Sequence, residues 1–423
     1  MPHSRWSGYL SSSSSGADVA GIVAIVDEVH TPAFVLSERA ILESLEQVAR
    51  VQQEAGCKVL YALKPLGHVD ALRWMVGHLD GMAASSLYEA RLSREVLGDE
   101  GTVSITSPGL RPDEIEQLAA LCDHIVCNSL SQLQRFRGPV GEDTSLGLRV
   151  NPQLSFVKDE RYNPCRAGSK LGVPLEQLVE LVDRSPAALR GLSGLHFHSN
   201  CDAETFEPLL ETVRLLDRHL AKLLPKLSWV NLGGGYCLRP GQDRGPLCEA
   251  VHLLRSRYGV TVYLEPGAAI VREAGYIIGS VIDLFDSDDK TIAMLDTTVN
   301  HMPEVFEYQF EPDILGYERK GPHWYTLAGS TCLALDVFGE YGFRQPLGIG
   351  SRIIFPSAGA YTMVKAHMFN GVNLPSNYVL SADGGLHLRK RYTYQDFLSR
   401  CGESAGQPSL PGRPASARPR PGT

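Results

Sequence analysis

Short runs of β-forming residues recur along the middle of the chain, each closing on small or polar residues. They start at Lys58, Gly81, Val103, His124, Leu146, Gly194, Trp229 and Thr261. The first four intervals are 23, 22, 21 and 22 residues. Between the runs, apolar positions return at helical spacing: Phe206, Leu209, Leu210, Val213, Leu216 and Leu220 share one face, and Pro112 to Cys122 and Leu175 to Val182 behave likewise. Strand and helix therefore alternate. Right-handed crossovers between parallel strands are close to obligatory, so eight such units predict an α/β fold, a (β/α)8 barrel of the TIM type. The fifth interval is 48 residues, more than twice the others, and carries Arg161 to Gly172. Loops of that length are usually functional.

After Gly267 the rhythm changes to strands without long helices between them: Tyr276 to Phe285, Thr291 to Asp296, Tyr325 to Thr331, Arg352 to Phe355, and a hairpin around Asp383 to Gly385. A C-terminal β-rich domain follows the barrel, and the strand-like Gly21 to Val26 and Ala33 to Leu36 are expected to join it. The expected divisions are a flexible tail at 1–20, N-terminal strands at 21–36, the barrel at 37–275, the β domain at 276–398 and a disordered Pro-rich tail at 399–423.

Composition narrows the partners. Lys and Arg number 40 against 48 Asp and Glu, a net charge of −8, which is the wrong sign for neutralising a phosphate backbone, so no nucleic acid is expected. The nine cysteines are scattered and show no CxxC, which predicts neither a disulfide framework nor a zinc site and fits a reducing cytoplasm. No run approaches the roughly 20 apolar residues of a membrane span, and the first 30 residues lack an apolar leader core, so a cytoplasmic location without membrane is expected.

Barrels do their chemistry at the C-terminal strand ends. Read together, those ends are Lys64, Ser85 and Ser86, Ser107, Asn128, Asn151, His196 and His198, Gly233 to Gly235, and Glu265. Lys64 ends an apolar strand, where desolvation lowers an amine's pKa and favours Schiff-base chemistry; a lysine there also suits snorkelling to solvent. Three glycines after the seventh strand can present bare N–H groups to a phosphate or simply form a tight turn. Glu265 is either a site carboxylate or a structural acid, and His196 and His198 either stack on a planar ligand or are hydrogen-bonded core residues. Taken jointly, a lysine, a phosphate cradle, a flat ring and a carboxylate are the contacts that pyridoxal 5′-phosphate asks for.

The chain resembles the fold-type III pyridoxal-phosphate decarboxylases, and within them the branch acting on carboxynorspermidine and carboxyspermidine. The resemblance runs from Thr31 to about Phe397. It is carried by Tyr61 to Lys64, Ala84 to Ala90, Asn128 to Gln132, Tyr162 to Cys165, Gly194 to His198, Trp229 to Gly235, Leu264 to Gly267, His301 to Pro303, Thr331 to Ala334, Tyr361 to Lys365 and Phe369 to Gly371. It implies Lys64 as the covalent anchor of the cofactor, His198 stacked on its ring, Gly233, Gly234, Gly235 and Tyr361 on its phosphate, Glu265 on its pyridine nitrogen, and Arg149 and Ser85 nearby. It further implies a homodimer with shared sites, in which Cys332 returns a proton to the decarboxylated carbon and Asp336 receives the distal amine of the substrate. His301, Tyr162 and Asn163 would complete the substrate contacts, with no metal.

The cofactor set is intact; the substrate set departs from the branch. Ser330 stands where the branch has proline, Leu335 where it has glycine, Ser199, Asn200 and Asp202 differ after the second histidine, and Thr297 to Asn300 and Ala358 to Ala360 differ ahead of His301 and Tyr361. The expected activity is decarboxylation of a carboxylated polyamine. Decarboxylation of another basic or modified amino acid, of the diaminopimelate, ornithine or lysine kind, stays open, as does a catalytically silent cofactor-binding protein. A racemase fits less well, since it needs a second base opposite the lysine.

Overall fold

The computed structural model describes residues 16–141, 143–157 and 159–402. β1 (Ala33–Ser37) precedes the barrel, and the barrel's first five strands are β2 (Lys58–Ala62), β3 (Gly81–Ala84), β4 (Thr102–Thr106), β5 (His124–Cys127) and β6 (Ser145–Asn151). The two-residue β7 (Val173–Pro174) pairs with β6 outside the ring, and β8 (Leu192–His196), β9 (Trp229–Asn231) and β10 (Thr261–Leu264) complete it. All pairings are parallel, and β10 returns to β2, so the eight strands read from the sequence form a closed barrel.

Side chains fill the barrel floor. Leu60, Ala83, Val126, Trp229 and Tyr263 form one buried cluster, with His124 stacked on Trp229 at 4.5 Å. The indole fits because Gly147 and Gly194 lie opposite; a Cβ on them would come within 2.4 and 2.1 Å of its ring atoms. Outside, the helix Glu38–Ala55 is representative. Ser37 caps it by accepting from the Ala40 N–H, and Ile41, Leu45, Val48 and Val51 form its buried stripe.

The second domain holds β11 (Gly275–Ser287), β12 (Lys290–Leu295), β13 (His323–Ala328), β14 (Val337–Phe343), β15 (Arg352–Phe355), β16 (Ser376–Leu380) and β17 (Leu386–Lys390). Their order is β14-β13-β12-β11-β1-β16-β17, with β15 also on β11. β1 thus sits mid-sheet, antiparallel to β11 and parallel to β16.

The expected strand at Gly21 to Val26 is corrected: Gly16–Ile25 is a helix. A short apolar run does not by itself distinguish helix from strand. Ile22 and Ile25, three apart, pack with Val29, Val35, Tyr276, Ile278 and Ile354 under the sheet. The expected tail at 1–20 is corrected in the same place. Asp18 is buried, accepting from the Tyr276 hydroxyl at 2.5 Å and from the Ser37 hydroxyl. The tail expected from 399 is corrected at its start, since the helix Tyr394–Arg400 runs into it; residues 1–15 and 403–423, on which the rest of the tail expectations fall, lie outside the described residues. No described helix is long and apolar enough to cross a membrane.

Candidate active site

Lys64 stands two residues past β2. Its loop is sewn to both neighbours: the Leu63 N–H donates to the Ala83 carbonyl at 3.0 Å and the Ala62 N–H to the Pro266 carbonyl at 3.0 Å. The side chain is accessible, at the floor of a deep mouth. Burial under the surrounding protein lowers the amine's pKa from its ordinary value, Glu265 opposes that shift, and Arg149 reinforces it.

Glu265 is the buried counterpart, with 9 % of its side chain exposed. One carboxylate oxygen accepts from Asn231 Nδ2 at 2.7 Å and the other faces His196 Nε2 at 3.2 Å. Burial alone would raise this carboxyl; the His196 contact, the charge of Lys64 and the Asn231 amide outweigh it and hold the group below its usual range. Desolvation lowers the His196 pKa, against the pull of the Glu265 charge, and the ring Nε2 lies where an N–H would donate to the carboxylate.

Asn231 then reaches the glycine run, its Oδ1 accepting from the Gly233 N–H at 2.9 Å. The Gly234 N–H donates to His198 Nδ1 at 3.1 Å, which places the ring proton on Nε2. Burial first, then the Lys64 and Arg149 cations, push the His198 pKa well below 6.5, leaving a flat neutral imidazole. The glycines are required by contact as well as by turning. A Cβ at Gly233, Gly234 or Gly235 would lie 2.3, 2.1 or 2.1 Å from the carbonyl oxygens of Phe197, Glu265 and Asn200. Two of the three N–H groups are already committed inside the protein, so only the Gly235 N–H is left without a partner among the described residues.

Arg149, at the end of β6, is buried and has no hydrogen bond or ion pair to its guanidinium among the described residues. The long loop braces it. Gly172, at φ +90°, lies so close that a Cβ would be 3.0 Å from Arg149 Cγ, and Asn128 fastens that point by bonding the Gly172 N–H and the Lys170 carbonyl. Cys165 of the same loop sits 3.9 Å from the His198 carbonyl, and burial pushes its thiol up to about 11. Asn163 accepts from the Cys165 N–H at 2.9 Å, and the Tyr162 ring lies edge-on to Tyr308 at 4.9 Å. Ser85 is exposed; its N–H donates to Glu89, a half-buried acid whose pKa burial raises and Lys64 lowers.

The β domain closes the rim. The Tyr361 N–H donates to the Pro65 carbonyl at 2.9 Å, beside Lys64, and burial raises the Tyr361 phenol. Arg272 pairs with Asp202 at 3.0 Å, and Lys365 with Glu304 at 3.4 Å. Asn231, Glu89, Asp202, Arg272 and Glu304 were not singled out from sequence. Asn231 had a usable signal, the inward position two residues after Trp229 on a strand ending at the mouth.

Two residues expected at the substrate are held by bonds inside the β domain. Asp336 is buried and accepts from Thr298 Oγ1 and the Val299 N–H, each at 2.8 Å, and from the Thr331 N–H and hydroxyl at 2.9 and 2.5 Å. Three of these bonds end on Oδ2 and one on Oδ1, so the carboxylate fastens the loops around Thr298 and Thr331. His301 is fully buried, its Nδ1 paired with Thr297 Oγ1 at 3.0 Å, and burial lowers its pKa to about 4. Cys332 is exposed, and no hydrogen bond or ion pair among the described residues ties its loop to the Lys64 mouth of the same chain.

These residues fit pyridoxal phosphate. An accessible amine and a buried carboxylate share the mouth, the His198 ring is bonded to the glycine run, and the Gly235 N–H and the Arg149 guanidinium have no partner among the described residues. A parallel barrel with this set at its mouth suits a pyridoxal enzyme. The family described as pyridoxal-dependent decarboxylase, pyridoxal binding domain, matches residues 40–278, and the chain belongs to that family; it is a pyridoxal-phosphate-dependent carboxy-lyase. It is 36 % identical over 379 residues to the carboxyaminopropylagmatine decarboxylase of Synechocystis sp., covering 88 % of this chain and 95 % of that one. It is 34 % identical over 389 residues to the carboxynorspermidine/carboxyspermidine decarboxylase of Campylobacter jejuni, covering 88 % and 99 %. The crystal structure of carboxynorspermidine decarboxylase from Campylobacter jejuni complexed with norspermidine superposes with a TM-score of 0.78 at 33 % identity, over 88 % of this chain and 100 % of that one.

Proposed function

We propose that the chain removes the α-carboxylate of a carboxylated polyamine as CO2, working as a cytoplasmic homodimer with shared sites. The observation that carries this reading is the accessible Lys64 amine set against the buried, ionised Glu265 in a chain whose curated relatives act on carboxylated polyamines.

Pyridoxal phosphate, when bound, supplies an aldehyde that captures amines and a ring that accepts the electron pair left by departing CO2. The protein's part follows from its charges. Burial lowers the Lys64 amine below its ordinary pKa, which raises the share of the neutral, nucleophilic form. Glu265, ionised, favours a proton on the pyridine nitrogen, and His196 and Asn231 keep it oriented. His198 supplies a flat face fixed by Gly234. The Gly235 N–H, with Tyr361 at the rim, would hold the phosphate, and Arg149 adds positive potential at the floor. The partner subunit's Cys332 returns the proton to the former α-carbon. Its exposure supports that placement, as does Leu335 on the same loop, an apolar side chain 59 % exposed.

A second reading, a guanidinium-tailed substrate, is favoured by the similarity to carboxyaminopropylagmatine decarboxylase. CO2 release from carboxynorspermidine, carboxyspermidine, carboxyaminopropylagmatine, diaminopimelate, ornithine and lysine tests both. The proposal expects kcat/KM at least about a hundredfold higher for one of the first three, which is about 3 kcal/mol of discrimination. Equal or better turnover of a simple diamino acid would overturn it, and no CO2 from any, with cofactor bound, would leave the silent-carrier reading.

A further inference from the structure

We propose that Asn370 is a positioning residue that sets where the Cys332 thiol points; this rests on the reading of Cys332 as the proton donor. The loop carrying Cys332 is in neither helix nor strand, yet its backbone is fastened on both sides. The Thr331 N–H and hydroxyl donate to the buried Asp336 carboxylate, which also gathers Thr298 and Val299 from a separate loop. The next amide, the Cys332 N–H, donates to Asn370 Oδ1 at 2.8 Å. Consecutive N–H groups are thus bound by two side chains from different parts of the domain, while the thiol itself stays free and exposed.

Asn370 is unusual for its own backbone. It lies at φ +54°, ψ +14°, the left-handed region, in the short turn Phe369–Gly371. For a residue with a side chain that conformation is unfavourable, though asparagine tolerates it better than most. The geometry gives a reason for asparagine at this position: glycine would relieve the strain and lose the acceptor, whereas asparagine keeps the turn and reaches Cys332. A turn fixed by the Gly371 N–H to Met368 carbonyl bond, at 3.1 Å, and by the His367 N–H to Asn300 carbonyl bond, at 3.2 Å, makes that reach reproducible. A proton donor has to meet its carbon within hydrogen-bond distance, and a misplacement near 1 Å costs up to about a hundredfold in rate.

The test uses the cofactor-loaded dimer. Asn370→Gly removes the acceptor and keeps the left-handed backbone; Asn370→Asp keeps both. Asn370→Gly is expected to lower kcat by about tenfold or more with KM within about twofold, and Asn370→Asp to stay within about threefold of the parent. In D2O the parent should place one deuteron at the former α-carbon in a single configuration, and Asn370→Gly should scramble it. The double variant Asn370→Gly/Cys332→Ser should be no slower than Cys332→Ser alone, because the two act through one thiol. A Cys332→Ser protein with parental rate and unscrambled deuteron would overturn the reading of Cys332 itself. With Cys332→Ser impaired, parental kcat and configuration in Asn370→Gly, or losses that multiply in the double variant, would overturn the role of Asn370 alone.

Discussion

Glu265 does its work because its neighbours win a contest that burial would otherwise decide. An isolated carboxyl at that depth would rise in pKa; bonds from His196 and Asn231 and the Lys64 charge reverse the sign. Glu265→Gln keeps the shape and removes the charge, so kcat should fall by about a hundredfold or more while cofactor absorbance remains, a loss of at least about 3 kcal/mol in the reacting step. Asn231→Ala should free both the carboxylate and the Gly233 N–H; cofactor affinity, titrated by absorbance, is expected to fall about tenfold or more. Lys64 and Glu265 stood out in sequence because each closes a recognisable strand, Lys64 two residues past β2 and Glu265 directly past β10. Asp336 was legible as an acid near a thiol but not as a fastener of loops, since two of its four donors come from Thr298 and Val299 in a separate loop and hydrogen bonds at that range leave no local pattern.

At the scale of elements, the barrel was readable because strand and helix periods alternate at a near-constant interval. The helix Gly16–Ile25 was not, because its short apolar run satisfies either period and its partners lie in strands far along the chain. The glycine run shows a similar division. Its presence marks the seventh loop, but only the packed structure shows that its Cβ positions are filled by the neighbouring loops' carbonyls and that Asn231 and His198 take two of its N–H groups. Gly234→Ala would drive a methyl to 2.1 Å from the Glu265 carbonyl, pushing apart the two loops that carry Glu265 and His198. Cofactor binding should weaken more than thermal stability does, and titration beside a melting curve separates the two.

For the whole molecule, two buried histidines tie stability to pH. Burial lowers His124, in the barrel floor, and His301, in the β domain, each to about 4. Between pH 6.5 and 4 the unfolded chain takes up protons there that the folded chain refuses, so stability present above pH 6.5 is lost as pH falls to 4. Each group accounts for about 3 kcal/mol across that window. Urea midpoints should therefore drop between pH 6.5 and 4, and His124→Phe, which keeps a ring against Trp229, should flatten the drop. The domains meet at the rim, where the Tyr361 N–H of the β domain bonds the Pro65 carbonyl of the barrel beside Lys64.

The central claim is that Lys64 is the residue that carries pyridoxal phosphate. Borohydride reduction of the cofactor-loaded protein, followed by mass spectrometry of its peptides, tests it most directly. The account predicts one pyridoxyl group, on Lys64, that disappears when substrate is added before reduction. A label on Lys58, Lys170 or Lys365, or a Lys64 label indifferent to every amine substrate, would contradict it.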